Sequence, residues 1–421
     1  MNQLHVKYLL VGGGLAAGSA AEAIRRLDSN GSAMLIGQEV SRPYHRPYLS
    51  KGYLKGEITR TELSAEPVGW FAERDIALRT GRRVANIDVA RHAAALDSGE
   101  EVAYDRLLLA TGSLPKPLKV PGAELPNVFF LRNLHDADRL TNAIEKAKHE
   151  GKKHARGRGK ATVVGAGPLG VELAATLTQL NIEVQLVSLH DRPWRKFAGE
   201  VTGKFITRYL EEHGVITRMN NRVDRFDGDG RVQHVRLADG TSIETDFVLV
   251  AIGTVANRDI VRGTIINAEK AILVDEHCRT SVADIFAAGD CCAIFDPLFG
   301  KHRAIPHWDH ARYTGAIAGS NMAGGDESYN VVNVFDSHVF DIKMTAFGEG
   351  KLVSHRILRG TPTVDNPEMI EFGVAADGRL AQIIALGHSQ DLRHLDEMML
   401  KRFDVTGFEE NLKDPSVPLP G

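Results

Sequence analysis

The sequence predicts an α/β protein with two Rossmann-like nucleotide-binding domains and a small C-terminal α+β domain. Two glycine-rich turns indicate the first part: Gly12-Gly13-Gly14 follows the apolar run 8–11, and Gly165-Ala166-Gly167 follows the apolar run 161–164. Each turn leads into residues with helical apolar spacing, as in a βαβ unit. The third observation is a change to alternating, strand-like patterning after about residue 326.

The composition is that of an ordinary globular protein. The 421 residues are 43% hydrophobic and 25% charged, which suits two or three domains. A net charge of -3 gives no overall attraction to nucleic acid, and no apolar segment approaches the ~20 residues that span a bilayer. The N-terminal apolar run lacks a cleavage signature and is interpreted as a strand. We therefore expect neither a nucleic-acid nor a membrane partner.

The three cysteines are Cys278, Cys291 and Cys292. They form no C-x-x-C pair and no metal-ligand spacing, so we expect no metal site and a reducing, cytoplasmic setting. The first βα region contains no cysteine pair, so we expect no redox-active disulfide there and no disulfide relay to an external acceptor.

In the first turn, Gly12 and Gly14 permit a tight bend and a close approach of a pyrophosphate to the helix N-terminus. Ala17 stands where a small residue lets the helix lie near the sheet. Glu39, with Gln38 beside it, is the candidate for the adenosine ribose. Alone, such a motif could equally be a glycine-rich turn.

Gly165, Gly167 and Gly170 repeat the pattern about 150 residues later. Two such turns in one chain imply two bound nucleotides. A flavin, FAD, and a nicotinamide, NAD(P)H, form the pair between which a hydride can pass.

Residues 42–51 read Arg-Pro-Tyr-His-Arg-Pro-Tyr-Leu-Ser-Lys. This segment resembles the "PYxRPPLSK" stretch of flavin-dependent ferredoxin reductases, apoptosis-inducing-factor-like proteins and monodehydroascorbate reductases, which have a glutathione-reductase-like fold. The resemblance implies that Arg46 meets the FAD pyrophosphate and that Lys51 lies beside the isoalloxazine. Tyr48 replaces the second proline of the family. Without the resemblance, the segment would be a proline-rich surface loop.

Three further elements follow, of which the first and the last resemble the same family. A buried strand over 104–109 leads into Ala110-Thr111-Gly112, similar to the "ATG" element where the chain crosses between nucleotide domains. A strand over 246–252, followed by Gly253, returns the chain to the flavin domain. Residues 280–290 resemble the second FAD signature, in which Gly289 and Asp290 end a strand and the aspartate meets a ribitol hydroxyl. Otherwise Gly289-Asp290 would be an ordinary turn.

A helix is expected over 171–180, with Glu172 just inside its first turn. An acid there is commonly only a partner for the helix dipole. The resemblance implies instead that Glu172 pairs with Lys51 at the flavin edge where nicotinamide docks.

The following strand, 184–187, ends at Ser188, where an NAD-specific fold usually presents an acid to the ribose 2′-hydroxyl. With His190, Arg192 and Arg195 nearby, a 2′-phosphate would not be repelled, which slightly favours tolerance of NADPH. The arginines also fit the ordinary loop of the family.

Trp308 lies in His307-Trp308-Asp309-His310-Ala311, which resembles the "HHDHA" segment of the apoptosis-inducing-factor branch. It is a candidate for an aromatic side chain near the isoalloxazine, and the alternative is a core tryptophan. The basic stretch 146–160 is either a polyanion-binding loop or a solvated helix end with a flexible connector. It contains no aromatic residues to stack on bases, which favours the second interpretation.

In the C-terminal region we predict strands over 331–335, 340–347, 371–375 and 381–386, and then a helix through Leu392 and Met399. Where ferredoxin reductases show a "FWSDQ"-like cluster, this chain has Phe335-Asp336-Ser337-His338. The region 339–348 is closer to the monodehydroascorbate and rubredoxin reductase branches.

The resemblance implies an FAD-binding domain over 1–122 and 255–325, an NAD(P)H-binding domain over 123–254 and a C-terminal α+β domain over 326–421. It implies an FAD-dependent NAD(P)H reductase, with Lys51, Glu172 and Trp308 acting at the flavin. The expected acceptor is a ferredoxin or rubredoxin-type protein, with monodehydroascorbate, a quinone or oxygen as small-molecule alternatives. A homodimer is possible. A redox-sensing flavoprotein that acts chiefly as a binding module is the rival from another class.

Overall fold

The computed structural model describes residues 4–153, 157–387 and 391–420. Its strands and helices in chain order are β1 (Leu4–Val11), α1 (Leu15–Leu27), β2 (Ala33–Gly37), β3 (Ile76–Thr80), β4 (Val84–Asp88), β5 (Ala93–Leu96), β6 (Glu101–Leu109), β7 (Ser113–Pro115), β8 (Val128–Phe129), α2 (Leu134–Lys153), β9 (Gly159–Val164), α3 (Pro168–Gln179), β10 (Ile182–Val187), α4 (Glu200–Glu212), β11 (Ile216–Arg218), β12 (Val223–Asp227), β13 (His234–Leu237), β14 (Ser242–Glu244), β15 (Phe247–Val250), β16 (Thr254–Ala256), β17 (Ile272–Val274), β18 (Ile285–Ala287), β19 (Cys292–Asp296), β20 (Lys301–Arg303), α5 (Trp308–Met322), β21 (Val334–Val339), β22 (Ile342–Gly348), β23 (Val353–Arg359), β24 (Met369–Ala375), β25 (Leu380–Leu386), α6 (Leu392–Leu400) and α7 (Glu409–Lys413). None of the helices in this described part of the chain has the length and apolar character needed to cross a bilayer.

The chain forms two compact units. Unit 1 comprises Met1–Pro47, Thr59–Leu114 and Thr254–Val331, and unit 2 comprises Tyr48–Ile58, Pro115–Gly253 and Val332–Gly421.

Unit 1 is built on a seven-stranded sheet. Its parallel strands lie in the order β3-β2-β1-β6, with β18 parallel to the end of β6 and with β5 and β4 antiparallel at the other end. The end of β1 is apolar and buried because a central parallel strand is covered on both faces. Helices α1 and α5 pack closely: a Cβ on Gly315 would lie 2.2 Å from the Ala16 carbonyl oxygen, so only glycine fits there.

Unit 2 contains a second parallel sheet, with strand order β11-β10-β9-β15-β8. Strands β12 to β14 form a small antiparallel sheet, and the C-terminal residues form a five-stranded antiparallel sheet in the order β21-β22-β25-β24-β23. One apolar cluster runs from Val163 and Leu186 of the parallel sheet to Met344 and Ile384 of the C-terminal sheet. These two sheets of unit 2 therefore share a core.

The sequence misplaced the start of two elements and missed one strand. The first C-terminal strand is Val334–Val339 and not 331–335, and the prediction missed β23 altogether. The polar run Asp336-Ser337-His338 interrupts the apolar alternation that marks a strand. Helix α3 begins at Pro168 and not at Val171, because proline is well suited to the first helical position.

Candidate functional site

The first glycine turn closes the gap between the ends of two neighbouring strands of unit 1. Gly12 follows β1 with φ +141°, and a Cβ there would lie 2.0 Å from the carbonyl oxygen of Ala110, which follows β6. Only glycine fits this approach. Because the chain leaves β1 toward one side of the sheet and β6 lies on the other, this is the switch point where α/β sheets bind ligands.

Gly14 differs from Gly12. It is the N-cap of α1, and a Cβ there would have none of the described atoms within 4 Å. Within this described helix no side chain caps the N-terminus and no acidic residue lies in the first turn. The first N–H groups of α1 therefore face an open space suited to an anion. Ala17 is fully buried behind them, as expected of the small residue under the turn.

The second turn, in unit 2, has the same construction. Gly165 has φ +108°, and its Cβ would lie 2.4 Å from the carbonyl oxygen of Ala251, at the end of β15. A Cβ on Gly170 would lie 1.8 Å from the Gly165 carbonyl oxygen, whereas Gly167 and Gly253 have no described atom within 4 Å of theirs. Described helix α3 begins with Gly167 as N-cap and Pro168 at its first position, again without an acid in its first turn. The chain thus fits the pyrophosphates of two dinucleotides.

The other candidate flavin residues of unit 1 form two hydrogen-bonded groups. In the first, Arg46 Nη2 lies 2.5 Å from Glu39 Oε1, and the Tyr44 hydroxyl donates to Glu39 Oε2 at 2.8 Å. Burial lowers the pKa of Arg46, but Tyr44, Glu39 and Asp290 outweigh burial, so the pKa is raised overall. Glu39 therefore stands as the partner of a guanidinium, while the neighbouring Gln38 is exposed.

The second group surrounds Asp290. Ser113 Oγ donates to Asp290 Oδ2 at 2.7 Å, and Gly289, with φ +74°, donates its N–H to Thr314 Oγ1 at 2.9 Å. Nearby in the chain, Thr111 Oγ1 donates to the Asn257 carbonyl oxygen, and Gly112 takes φ +71°. Sequence reasoning missed Ser113, although it directly follows the predicted Ala110-Thr111-Gly112 element.

Trp308 is the first residue of α5 and is half-buried. It stands outside the buried apolar core, so the interpretation as a core tryptophan is wrong. Its ring centroid lies 5.7 Å from that of His307. A role near the isoalloxazine stays a prediction.

Lys51 and Glu172 are in contact within unit 2. Lys51 Nζ lies 2.7 Å from Glu172 Oε2, with the lysine side chain 23% exposed and the glutamate side chain 7% exposed. Glu172 is the fifth residue of α3, so its predicted position in the first turn is wrong. The helix dipole acts mainly over the first turn and does not account for this carboxylate.

Three residues that sequence reasoning missed hold this pair. Ser50 Oγ donates to Glu172 Oε1, and Ser337 Oγ of β21 lies 3.4 Å from Oε2. Thr176, one turn along α3, donates its hydroxyl to the Ser50 carbonyl oxygen at 2.9 Å. Ser50 was detectable because it adjoins Lys51, whereas nothing in the sequence connects Ser337 with Glu172.

The loop after β10 is more tightly paired than predicted. Ser188 is buried, and its Oγ accepts the His190 N–H at 3.1 Å. Asp191 Oδ2 lies 2.5 Å from Arg192 Nη1, and Asp191 Oδ1 lies 3.5 Å from Arg195 Nε. Both arginines that the sequence placed near the ribose therefore carry a counter-ion.

The basic stretch 146–160 is only partly within the described residues. Helix α2 extends to Lys153, and residues 154–156 lie outside the description. Lys148 pairs with Glu145 at 2.8 Å, and Lys160 pairs with Glu244 at 2.7 Å.

The three cysteines are unpaired and fully buried. Burial raises the pKa of each thiol, so each stays protonated at neutral pH. Among the described residues, no group of three His, Cys, Asp or Glu side chains could hold a metal ion.

Two sheets, each with a glycine turn between a central parallel strand and a helix, are typical of oxidoreductases that handle two nucleotides. A family model described as pyridine nucleotide-disulphide oxidoreductase matches residues 6–315, and the chain belongs to this family. It is an FAD-dependent NAD(P)H oxidoreductase.

Similar proteins cover most of the chain. The ferredoxin reductase subunit of 5,5′-dehydrodivanillate O-demethylase from Sphingobium is 31% identical over 85% of each chain. Monodehydroascorbate reductase from Solanum lycopersicum is 32% identical over 83% of each. Among solved structures, the covalent putidaredoxin reductase–putidaredoxin complex matches with a TM-score of 0.90 and 26% identity, over 98% of this chain and 97% of that one. The ferredoxin reductase for the CYP199A2 system from Rhodopseudomonas palustris matches equally well, over 98% of both chains.

Proposed function

We propose that this reductase passes its electrons to a small electron-transfer protein of ferredoxin or rubredoxin type. The observation that carries the proposal is the likeness to ferredoxin reductases along nearly the whole length of both chains. The cysteines support it, because all three are buried far along the sequence from the first turn, and none offers a disulfide relay.

We further propose a domain for each nucleotide: FAD in 1–122 and 255–325, and NAD(P)H in 123–254, with 326–421 as the C-terminal domain. The residues that would bind FAD are Gly12, Gly14, Ala17, Glu39, Arg46, Ala110, Thr111, Gly112, Gly289, Asp290 and Trp308. Gly165, Gly167, Gly170, Ser188 and Gly253 would bind the nicotinamide nucleotide. The matching geometry of the two turns supports two nucleotide sites, and the family resemblance supports the order with FAD first.

The flavin, when bound, supplies the acceptor for a hydride and the donor for the onward electrons. The protein's own part is to bind and orient the two nucleotides and to exclude water from them. Glu172, held by two serine hydroxyls, fixes the Lys51 ammonium in one position within unit 2. A role of this ammonium at the flavin follows from the family resemblance alone.

Stopped-flow reduction by NADH and NADPH, followed by mixing with a panel of acceptors, tests this proposal. The panel contains a [2Fe–2S] ferredoxin, a rubredoxin, monodehydroascorbate radical, a quinone and oxygen. We expect fast flavin reduction and the fastest reoxidation with a protein acceptor. Faster reoxidation by every small molecule than by either protein would contradict the proposal.

Monodehydroascorbate is the second candidate acceptor. It is favoured by the 32% identical plant reductase and by Asp336 and His338, which replace the aromatic and acidic residues of the "FWSDQ" cluster. A binding module of the apoptosis-inducing-factor kind would instead show slow turnover and salt-sensitive polyanion binding. We place the protein in a reducing cytoplasm, because its thiols are unpaired.

A further inference from the structure

The loop after β10 combines two features that point in opposite directions. Ser188 lacks the carboxylate with which NAD-specific domains hold the ribose 2′-hydroxyl, and Arg192 and Arg195 are the kind of residue that accepts a 2′-phosphate. Yet each oxygen of Asp191 is engaged with one of these arginines, at 2.5 Å and 3.5 Å.

Backbone hydrogen bonds hold this loop in place. The Ser188 carbonyl oxygen accepts the Asn221 N–H at 2.8 Å, and the His190 carbonyl oxygen accepts the Asn220 N–H at 2.9 Å. These two bonds hold the backbone on the N-terminal side of Asp191.

Arg192 is also fixed by packing. Its side chain is 11% exposed and lies so close to Gly203 of α4 that a Cβ added to that glycine would be 2.5 Å from Arg192 Cδ. Its Nε is buried without a hydrogen-bond partner among the described residues. Asp191, by contrast, is about half exposed. Asp191 lies within ion-pair distance of both Arg192 and Arg195, whereas the carboxylate of Glu200 pairs with Lys204 at 2.5 Å.

We propose that Asp191 sets the choice between NADH and NADPH by serving as an internal counter-ion for Arg192 and Arg195. This inference rests on the proposed binding of the nicotinamide nucleotide at the second turn. The carboxylate occupies guanidinium donors that a 2′-phosphate would need, and its charge repels that phosphate. The chain thereby disfavours NADPH without an acid at position 188.

The test is Asp191→Asn, read first by calorimetric binding of 2′,5′-ADP and 5′-AMP, which differ only in the 2′-phosphate. Affinity for 2′,5′-ADP should rise about tenfold, the scale of one charged hydrogen bond, with little change for 5′-AMP. The gain should shrink at high salt. The ratio of kcat/KM for NADPH to that for NADH should rise by a similar factor.

Asp224→Asn is the matched control, because Asp224 also pairs with its chain neighbour, Arg225 at 3.4 Å, with similar exposure. Asp224→Asn should change neither the affinity for 2′,5′-ADP relative to 5′-AMP nor the ratio of kcat/KM for NADPH to that for NADH. Adding Arg195→Ala to Asp191→Asn should remove part of the gain.

An unchanged ratio in Asp191→Asn, with normal 5′-AMP binding and normal flavin reduction by NADH, would overturn this inference alone. If the unmodified protein does not bind 5′-AMP, and if neither NADH nor NADPH reduces its flavin, the proposed function is overturned as well.

Discussion

Lys51 and Glu172 are the residues whose removal most directly tests the proposed chemistry. The carboxylate is 7% exposed, so Lys51→Ala leaves a buried carboxylate with the hydroxyls of Ser50 and Ser337 but no cation among its described partners, and Glu172→Ala removes the ion pair of Lys51. Each change should slow flavin reduction by NAD(P)H at least about tenfold, equivalent to about 1.4 kcal/mol, as measured by stopped flow. Photochemically reduced flavin should still pass electrons onward.

Because the two residues act as one unit, the double variant should be little slower than the slower single variant. Lys55→Ala is the control, since Lys55 forms an ion pair with Glu57 at 3.0 Å in the same segment. Strictly additive losses, or normal reduction rates in both single variants, would mean that the pair is only structural.

Tyr104 offers a test of pH dependence. Burial, with a smaller effect of Asp88, raises its pKa to about 12, and its hydroxyl has no partner within the described chain. The folded-state pKa lies above the unfolded value of 10.0, so the folded protein holds the phenol proton more tightly than the unfolded chain does. The stability that depends on a protonated Tyr104 is therefore intact below pH 10 and is lost as the pH rises toward 12. Tyr104→Phe should leave the neutral-pH unfolding free energy unchanged or up to about 1 kcal/mol higher, with a shallower alkaline decline, in urea titrations at several pH values.

Tyr209→Phe is the contrasting variant. Tyr209 is equally buried, but its hydroxyl donates to Asp341. It should destabilise the protein by about 1–3 kcal/mol, because a charged acceptor loses its donor. Equal effects of the two substitutions would show that the unpartnered hydroxyl of Tyr104 has no special cost.

At the scale of elements, the two glycines of each turn have different proposed roles: the first is needed for the fold and the second for ligand binding. Gly12→Ala and Gly165→Ala force a Cβ onto a carbonyl oxygen at 2.0 and 2.4 Å, with φ in the left-handed region, and should lower stability strongly. Gly14→Val and Gly167→Val meet no described atom and keep extended backbone angles. The valine variants should fold normally by circular dichroism and thermal melting.

The valine variants should lose ligands selectively. Gly14→Val should weaken retention of FAD, and Gly167→Val should raise the Kd for NAD(P)H while retaining flavin, because each side chain enters the space before one helix N-terminus. Loss of flavin in Gly167→Val with full retention in Gly14→Val would reverse the assignment of the two turns.

These turns were predictable because their information is local. Gly12 and Gly165 indicate a tight bend, and the apolar runs before them indicate buried strands. The carbonyl oxygens that make glycine obligatory, those of Ala110 and Ala251, come from strands about 90 residues further along the chain. Strand order brings them together, so the sequence predicted the turn but not its neighbours.

The support of Glu172 shows the limit of local reasoning. The resemblance predicted its contact with Lys51, and the structure shows that contact. Ser337 lies 165 positions away, in a strand whose polar run concealed it. A hydrogen bond of that kind depends on tertiary packing and leaves no periodic signal in the sequence.

At the scale of the whole molecule, the C-terminal sheet is joined to the start of helix α4 within unit 2 by a buried acid. Glu371 of β24 is fully buried and accepts the N–H of Gly199, the N-cap of α4, at 2.9 Å, and also the Thr202 hydroxyl. Arg356 of β23 pairs with Glu371 and donates to the Phe197 carbonyl oxygen at 3.0 Å. A change in patterning near residue 326 indicated a separate domain but could not reveal these contacts.

This network predicts that helix α4 and the C-terminal sheet lose stability together. Glu371→Ala removes the acceptor of the Gly199 N–H and of the Thr202 hydroxyl, and it leaves the Arg356 guanidinium partly buried without its carboxylate, which should cost about 3–5 kcal/mol. Hydrogen exchange should therefore accelerate in α4 as well as in β23 and β24. Glu397→Ala, which breaks only the exposed pair with Arg393, is the control and should change little. Faster exchange confined to the C-terminal strands, with α4 as protected as in the unmodified protein, would mean that the C-terminal sheet is an independently stable domain.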